Sequence, residues 1–187
     1  MIAIESFRKF HLRDGLVLII AAALFALSQL GLSFFDPSVG YYGSLLIFGL
    51  LLSFSTFFVR KAGTGLLVGI LSSLCSFPNG LAGAIGWQKV LVFAIAGLLF
   101  ELAFLLLKLE IHLIPFDILL GTALAVASIP LSTLLLLSPA VATQHQFALL
   151  NIALIGFLTG LLSAVLAFLL WYRLKQTKLV LWFEYGS

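Results

Sequence analysis

Long apolar runs separated by short polar or basic stretches dominate the pattern along this chain. Six runs stand out, covering residues 15–35, 41–59, 63–77, 90–107, 116–138 and 147–172. A helix crosses the ~30 Å hydrocarbon layer of a membrane in about 20 apolar residues. A spanning segment must also satisfy its backbone polar groups internally, so each run predicts an α-helix. The pattern therefore predicts an all-α integral membrane protein, with a single six-helix transmembrane domain over residues 1–187.

Composition excludes a water-soluble domain. Of the 187 residues, 63% are hydrophobic and only 9% are charged, whereas soluble domains carry about 25% charged residues. The single cysteine, Cys75, allows no disulfide within the chain and no cysteine metal motif. The net charge of +3 comes from basic residues scattered at segment ends, and this distribution does not indicate a nucleic-acid-binding surface. We expect a lipid bilayer around the protein and no nucleic acid partner.

Lysine and arginine positions predict the orientation of the helices. If six helices alternate in direction, nine of the ten basic residues fall on one side: Arg8, Lys9, Arg13, Arg60, Lys61, Lys108, Arg173, Lys175 and Lys178. The other side holds only Lys89. Basic residues concentrate on the cytoplasmic side of membrane proteins. The distribution therefore predicts a multi-pass membrane protein with both termini in the cytoplasm.

Small residues at helical spacing predict where helices touch, because helices in lipid associate through close backbone approach. The third run carries Gly65 and Gly69, and the sixth carries Gly156 and Gly160. We interpret these stripes as packing within one bundle. The Ala22/Ala26 pair of the first run leaves two alternatives open, which are internal packing or a smooth face for another membrane protein.

The sequence contains few residues that could support catalysis. The three histidines are isolated from one another, and no hydrolase, metalloprotease or nucleotide-binding motif is present. Glu101 is the clear ionisable residue at membrane depth, and one carboxylate does not make a catalytic site. We expect no enzymatic activity, no metal and no cofactor. Glu101 is either a hydrogen-bond acceptor for a neighbouring helix or an acceptor at the floor of a substrate cavity.

Uncharged polar groups gather on the predicted external side. Asn79, Trp87 and Gln88 come from the third loop and the start of the fourth helix, and His145 and Asn151 come from the last loop and the start of the sixth. Further polar groups on this side are Gln29, Ser33, Lys89, Gln144 and Gln146. Amides, an imidazole and an aromatic plane suit a small heterocycle that stacks on Trp87. The alternative is ordinary loop polarity with an interfacial tryptophan.

Four passages carry a resemblance to a known family. They are Ala22-Ala23-Leu24-Phe25-Ala26, Tyr42-Gly43, Val59-Arg60-Lys61-Ala62-Gly63 and Gly97-Leu98-Leu99-Phe100-Glu101-Leu102-Ala103-Phe104. With six helices and about 190 residues, the chain resembles the substrate-binding S components of energy-coupling factor (ECF) vitamin transporters, which implies a prokaryotic cell membrane. Within them it looks like the YkoE group, which is associated with hydroxymethylpyrimidine and thiamine uptake. The tryptophan that this group has in the second helix is absent, and Ala62 replaces a proline.

The resemblance implies a function and its partners. The chain would bind a vitamin or vitamin precursor from outside and deliver it by reorienting in the membrane. A transmembrane coupling subunit and ATPase subunits would supply the energy, and Ala22 and Ala26 would dock on the coupling subunit. Glu101 would match the characteristic glutamate of the group. Two other hypotheses stay open, a structural membrane scaffold and a stand-alone small-molecule facilitator.

Overall fold

The computed structural model of the protein describes residues 10–80, 83–107, 110–111, 114–137 and 146–175. Six α-helices lie within these ranges, one for each predicted run, and no helix end differs from its prediction by more than four residues. The helices are α1 (Leu12–Leu32), α2 (Pro37–Val59), α3 (Thr64–Cys75), α4 (Trp87–Leu107), α5 (Phe116–Leu137) and α6 (Gln146–Leu174). Between α4 and α5, β1 (Glu110–Ile111) pairs antiparallel with β2 (Ile114–Pro115).

Five of these helices are long and apolar enough to cross a membrane, and α3 is shorter. The protein is therefore a helical membrane protein, as its composition predicts. Helix α3 has 12 residues, which corresponds to about 18 Å at 1.5 Å per residue. That length is well below the ~30 Å of the hydrocarbon layer. A full crossing by the third run thus stays a prediction.

Local signals explain where the helices begin and end. Helix α1 begins where the carboxylate of Asp14 accepts the backbone N–H of His11 at 2.7 Å, which gives that N–H a partner at the helix start. Helix α2 begins at Pro37, whose fixed φ suits the first helical turn. Arg60, the residue after α2, has a left-handed φ of 46°, and Gly63, the residue before α3, has a φ of 92°. The two left-handed residues turn the chain sharply between α2 and α3.

The helices form a closed ring. Helix α2 packs on α1 and α6, α5 packs on α6 and α4, and α3 lies between α4 and α1. The bundle has two ends, here called the terminal end and the loop end. The terminal end carries the start of α1, the turn between α2 and α3, and the end of α6. The loop end carries the connections between α1 and α2 and between α3 and α4.

Glycines bring the backbones of two helix pairs together. An added Cβ on Gly97 of α4 would lie 2.6 Å from the carbonyl oxygen of Gly65, and one on Gly69 would collide with the carbonyl of Phe93. On α6, an added Cβ at Gly160 would lie 2.8 Å from Cα of Ala123 in α5. The prediction that the glycine stripes of the third and sixth runs pack inside the bundle is confirmed.

An aromatic trio fills the centre of the bundle. The rings of Phe25, Phe48 and Phe93 come from α1, α2 and α4, and all three side chains are buried. Their centroids are 5.7 Å apart for Phe25 with each of the others and 4.7 Å apart for Phe48 and Phe93. Tilted and edge-on arrangements at these distances are favourable for aromatic pairs. The trio therefore fixes how α1, α2 and α4 meet.

We predict that Gly97→Val destabilises the protein far more than Leu98→Val. Gly97 touches the backbone of α3, so a larger side chain must push the two helices apart, whereas Leu98 is half exposed on the outside of the bundle. Overpacking costs about 1–3 kcal/mol, and each kcal/mol shifts the melting temperature of a domain this size by about 2–4 °C. Thermal unfolding in detergent, followed by size-exclusion chromatography, measures the difference. Equal melting temperatures for the two variants would contradict the close packing of α3 on α4.

Candidate functional site

The predicted site residues do not form one enclosed site in the described structure. Trp87 and Gln88 at the start of α4 are exposed, and so is Asn151 on α6. The Trp87 side chain is 71% exposed, and its ring meets that of Phe77 edge-on at a centroid distance of 5.5 Å. An exposed tryptophan at a helix end is typical of a membrane-interface anchor. His145 lies outside the described residues.

Glu101 binds the beginning of α3. Its Oε1 atom accepts the backbone N–H of Gly65 at 2.6 Å, and the side chain is buried. Gly65 is the second residue of α3, so its N–H has no partner within the helix. A carboxylate near a helix N-terminus also interacts favourably with the helix dipole. Of the two interpretations of Glu101, hydrogen bonding to a neighbouring helix is confirmed for Oε1. A place at the floor of a substrate cavity stays a prediction.

Lys89 binds the other end of α3. Its side chain is fully buried, and Nζ donates to the carbonyl oxygens of Ser76 at 2.9 Å and Asn79 at 2.8 Å. Both carbonyls follow Cys75, the last residue of α3, and a cation beside the C-terminal end of a helix interacts favourably with the helix dipole. Asn79, a predicted ligand contact, thus contributes its backbone carbonyl to a structural bond. Lys89 points inward, toward the end of α3.

The spacing of these two residues matches the length of α3. Lys89 and Glu101 are 12 residues apart on α4, and α3 itself has 12 residues. Both intervals correspond to about 18 Å of helix. Because α3 and α4 run in opposite directions, the cation of α4 reaches the C-terminus of α3 while the carboxylate reaches its N-terminus. Helix α4 therefore holds both ends of α3.

A buried polar layer lies on the loop-end side of the aromatic trio. We define the polar layer as Gln29 of α1, Ser72 of α3 and Lys89 of α4, all of them fully buried. Gln29 follows Phe25 by one helical turn, and Lys89 precedes Phe93 by one turn. Because α1 and α4 run in opposite directions, both polar residues lie one turn toward the loop end from rings 5.7 Å apart. The polar layer therefore lies next to the trio, on its loop-end side.

Two members of the polar layer have unsatisfied hydrogen-bonding atoms. Among the described residues, the amide oxygen and nitrogen of Gln29 and the hydroxyl of Ser72 have no hydrogen-bond partner. Leaving a buried polar group unpaired costs about 1–3 kcal/mol. Native proteins seldom bury such groups unless a water molecule, a ligand or a functional change provides the partner. Gln29 is thus the side chain that most strongly indicates a binding position.

The connection between α3 and α4 covers the loop end. Ala84 within it is buried, and an added Cβ on Gly83 would lie 3.2 Å from the Thr133 side chain of α5 and 3.5 Å from the Tyr41 ring of α2. The side chains of the polar layer are fully buried, so a ligand could reach them only if surrounding parts of the protein moved.

Sequence reasoning placed Gln29 with Ser33 in the outer half of α1 but did not separate their roles. The structure buries Gln29, whereas Ser33 is exposed and its hydroxyl donates to the Leu30 carbonyl. The signal was present in the helical spacing, because Leu18, Ala22 and Phe25 form a buried stripe that Gln29 continues. Ser72 carried no comparable signal, since it is one of two adjacent serines.

The predicted partner contacts on α1 differ in exposure. Ala22 is fully buried inside the bundle, and Ala26 is half-buried. A partner that approaches α1 from the lipid would instead meet its large aliphatic side chains, which include Ile20, Leu24 and Leu27. Helices α1 and α2 also form a groove of about 190 Å³ lined by Val17, Ile20, Ala21, Leu24, Leu51, Phe54, Ser55 and Phe58. A role of Ala22 and Ala26 in partner binding stays a prediction.

Searches of protein-family models, curated proteins and solved structures found no match to this chain.

We predict that Glu101→Leu loosens the first turn of α3 and that Glu101→Gln does so less. Leucine leaves the buried N–H of Gly65 without an acceptor, which costs about 1–3 kcal/mol, whereas glutamine keeps an acceptor oxygen. Hydrogen exchange followed by mass spectrometry should show faster exchange at the start of α3 in Glu101→Leu, with α6 as the internal reference. Unchanged exchange in that variant would show that the Glu101 contact does not hold the helix.

Proposed function

We propose that the protein is a membrane-embedded binding subunit that captures a small polar molecule, of the kind represented by S components of ECF transporters. The single observation that carries the proposal is the Gln29 amide, which is fully buried among helices and has no partner among the described residues. A ligand that enters the polar layer would supply the missing hydrogen bonds. The sequence resemblance to S components independently supports the same class of function.

The ligand would enter from outside the cell. The distribution of lysine and arginine predicts that the terminal end faces the cytoplasm, so the polar layer would lie in the outer half of the membrane. The connection between α3 and α4 would act as the cover that opens for entry. Closure over the aromatic trio would then surround a flat molecule with apolar rings below and polar groups beside it.

A vitamin precursor such as hydroxymethylpyrimidine fits this environment. An aminopyrimidine presents hydrogen-bond donors and acceptors along one planar edge, which the amide of Gln29 can match. Its ring has an apolar face that can pack on Phe25 or Phe93. The chain carries no nucleotide-binding motif, so we propose that ATPase subunits provide the energy through a coupling subunit that docks on the aliphatic face of α1 and the α1–α2 groove.

A structural membrane scaffold is the second candidate. The observation that favours it is the complete burial of the three side chains of the polar layer, since a scaffold needs exposed interaction faces and no cavity. Helix α1 has such a face, because most of its length is exposed. The two candidates differ in one measurable property, which is specific binding of a small molecule.

We predict that the purified protein binds hydroxymethylpyrimidine and that Gln29→Leu weakens this binding about tenfold, since it removes both hydrogen-bonding atoms of the amide. Isothermal titration calorimetry in detergent, together with native mass spectrometry, measures the affinity. The matched control is Ser33→Ala, which changes an exposed hydroxyl one turn further along the same helix. Failure of hydroxymethylpyrimidine to bind, with no vitamin-sized molecule co-purifying either, would favour the scaffold.

We also predict that binding and transport are separable. In liposomes, the protein alone should bind hydroxymethylpyrimidine without accumulating it, and accumulation should require an ECF coupling subunit, its ATPase subunits and ATP. Uptake of radiolabelled ligand into the vesicles measures transport, and empty vesicles give the background. Uptake by the protein alone would instead identify a stand-alone facilitator.

A further inference from the structure

A positive charge lies inside the polar layer. Lys89 is fully buried, and its Nζ donates to the carbonyl oxygens of Ser76 and Asn79 at the end of α3. A cation beside the C-terminal end of a helix interacts favourably with the helix dipole. An ammonium group has three donors, and these two carbonyls use two of them. One donor of Lys89 is therefore available to an acceptor that enters the layer.

No carboxylate neutralises this charge within the described part of the chain. An ion pair joins Lys61 and Asp14, at 2.5 Å, and it lies at the terminal end. Glu101 follows Lys89 by 12 residues on α4, a separation of about 18 Å along the helix. Asp36, at the loop end, is exposed. The polar layer consequently has a net positive charge in a region shielded from water.

We infer that Lys89 makes the polar layer selective by charge, so that it accepts uncharged or anionic ligands and excludes cations. The inference rests on the proposed binding function and adds the charge class of the ligand to it. A second positive charge beside Lys89 would meet strong repulsion, because Coulomb interactions are far larger in a low-dielectric interior than in water. An acceptor atom on the ligand would take the remaining donor of Lys89.

Gln29 adds a second requirement to the ligand. Its side-chain amide offers one acceptor and two donors in a plane, so the best match is a planar edge on which donor and acceptor are adjacent. The floor beneath is formed by Phe25 and Phe93, whose centroids are 5.7 Å apart. The class of ligand is therefore a planar heteroaromatic molecule with an amide-like edge, an additional acceptor atom and no positive charge.

The test uses three pyrimidines that share one ring and differ in one substituent. Hydroxymethylpyrimidine is uncharged, the carboxylate analogue is anionic, and the aminomethyl analogue is cationic at neutral pH. Calorimetry on the full-length protein in detergent gives the affinity of each. We expect the uncharged and anionic compounds to bind and the cationic compound to bind at least about tenfold more weakly.

Two variants test whether the charge of Lys89 causes the selectivity. Gln29→Glu keeps the shape of the side chain and places a carboxylate one turn from the trio on the facing helix, so it should weaken the anion and improve the cation. Lys89→Gln keeps one donor group for the α3 carbonyls and removes the charge, so it should bring the affinities for cation and uncharged compound within a few-fold of each other. The thermal stability of each variant identifies misfolding. Gln29→Glu tests whether the ligand lies at the polar layer, Lys89→Gln tests the charge itself, and the wild-type comparison of the three pyrimidines still tests the selectivity if Lys89→Gln does not fold.

The outcomes separate the two proposals. If the wild type binds the aminomethyl analogue as tightly as hydroxymethylpyrimidine, the charge selectivity is wrong while the binding function stands. If selectivity is present but unchanged in Gln29→Glu, the polar layer is not its origin and the inference is overturned. If none of the three pyrimidines binds, the proposed ligand class fails and the inference fails with it.

Discussion

The direct contact of α3 with α4 is the constraint on which the other features of this bundle depend. Gly65, Gly69 and Gly97 let the two backbones touch, and this closeness leaves α3 wedged between α4 and α1, where it completes the ring of helices. A short helix inside a membrane protein has free N–H and C=O groups at both ends with no bulk water to satisfy them. Glu101 and Lys89 supply a partner of the appropriate charge at each end.

The same contact positions the polar layer. Because Lys89 donates to the carbonyls of Ser76 and Asn79, just past the end of α3, its ammonium group is fixed beside the aromatic trio. Gln29 reaches this level from α1 through the helical stripe that also buries Phe25. Lys89 therefore contributes to the stability of α3 and also sets the charge of the proposed binding position.

Much of the fold could be predicted from the sequence. Runs of apolar residues located all six helices, and glycine spacing identified which faces of α3 and α6 pack inside. A hydrogen bond to a neighbouring helix was one of the two interpretations that the sequence left open for Glu101, because a carboxylate at that depth needs a partner. The candidate site was harder to predict. Loop polarity pointed to Trp87, Gln88 and Asn151, which are exposed, whereas the buried polar layer combines residues from three helices.

By itself, the sequence determined the class of the protein, because helix formation in a membrane follows from the length and composition of each segment. Exposure and pairing depend on how segments far apart in the chain face each other, and only the tertiary structure decided them. Lys89, one residue after an exposed glutamine, is buried because the end of α3 lies next to it. Gln29 acquires its significance only when the other helices bury it, since an amide on a helix surface indicates nothing until its neighbours exclude water.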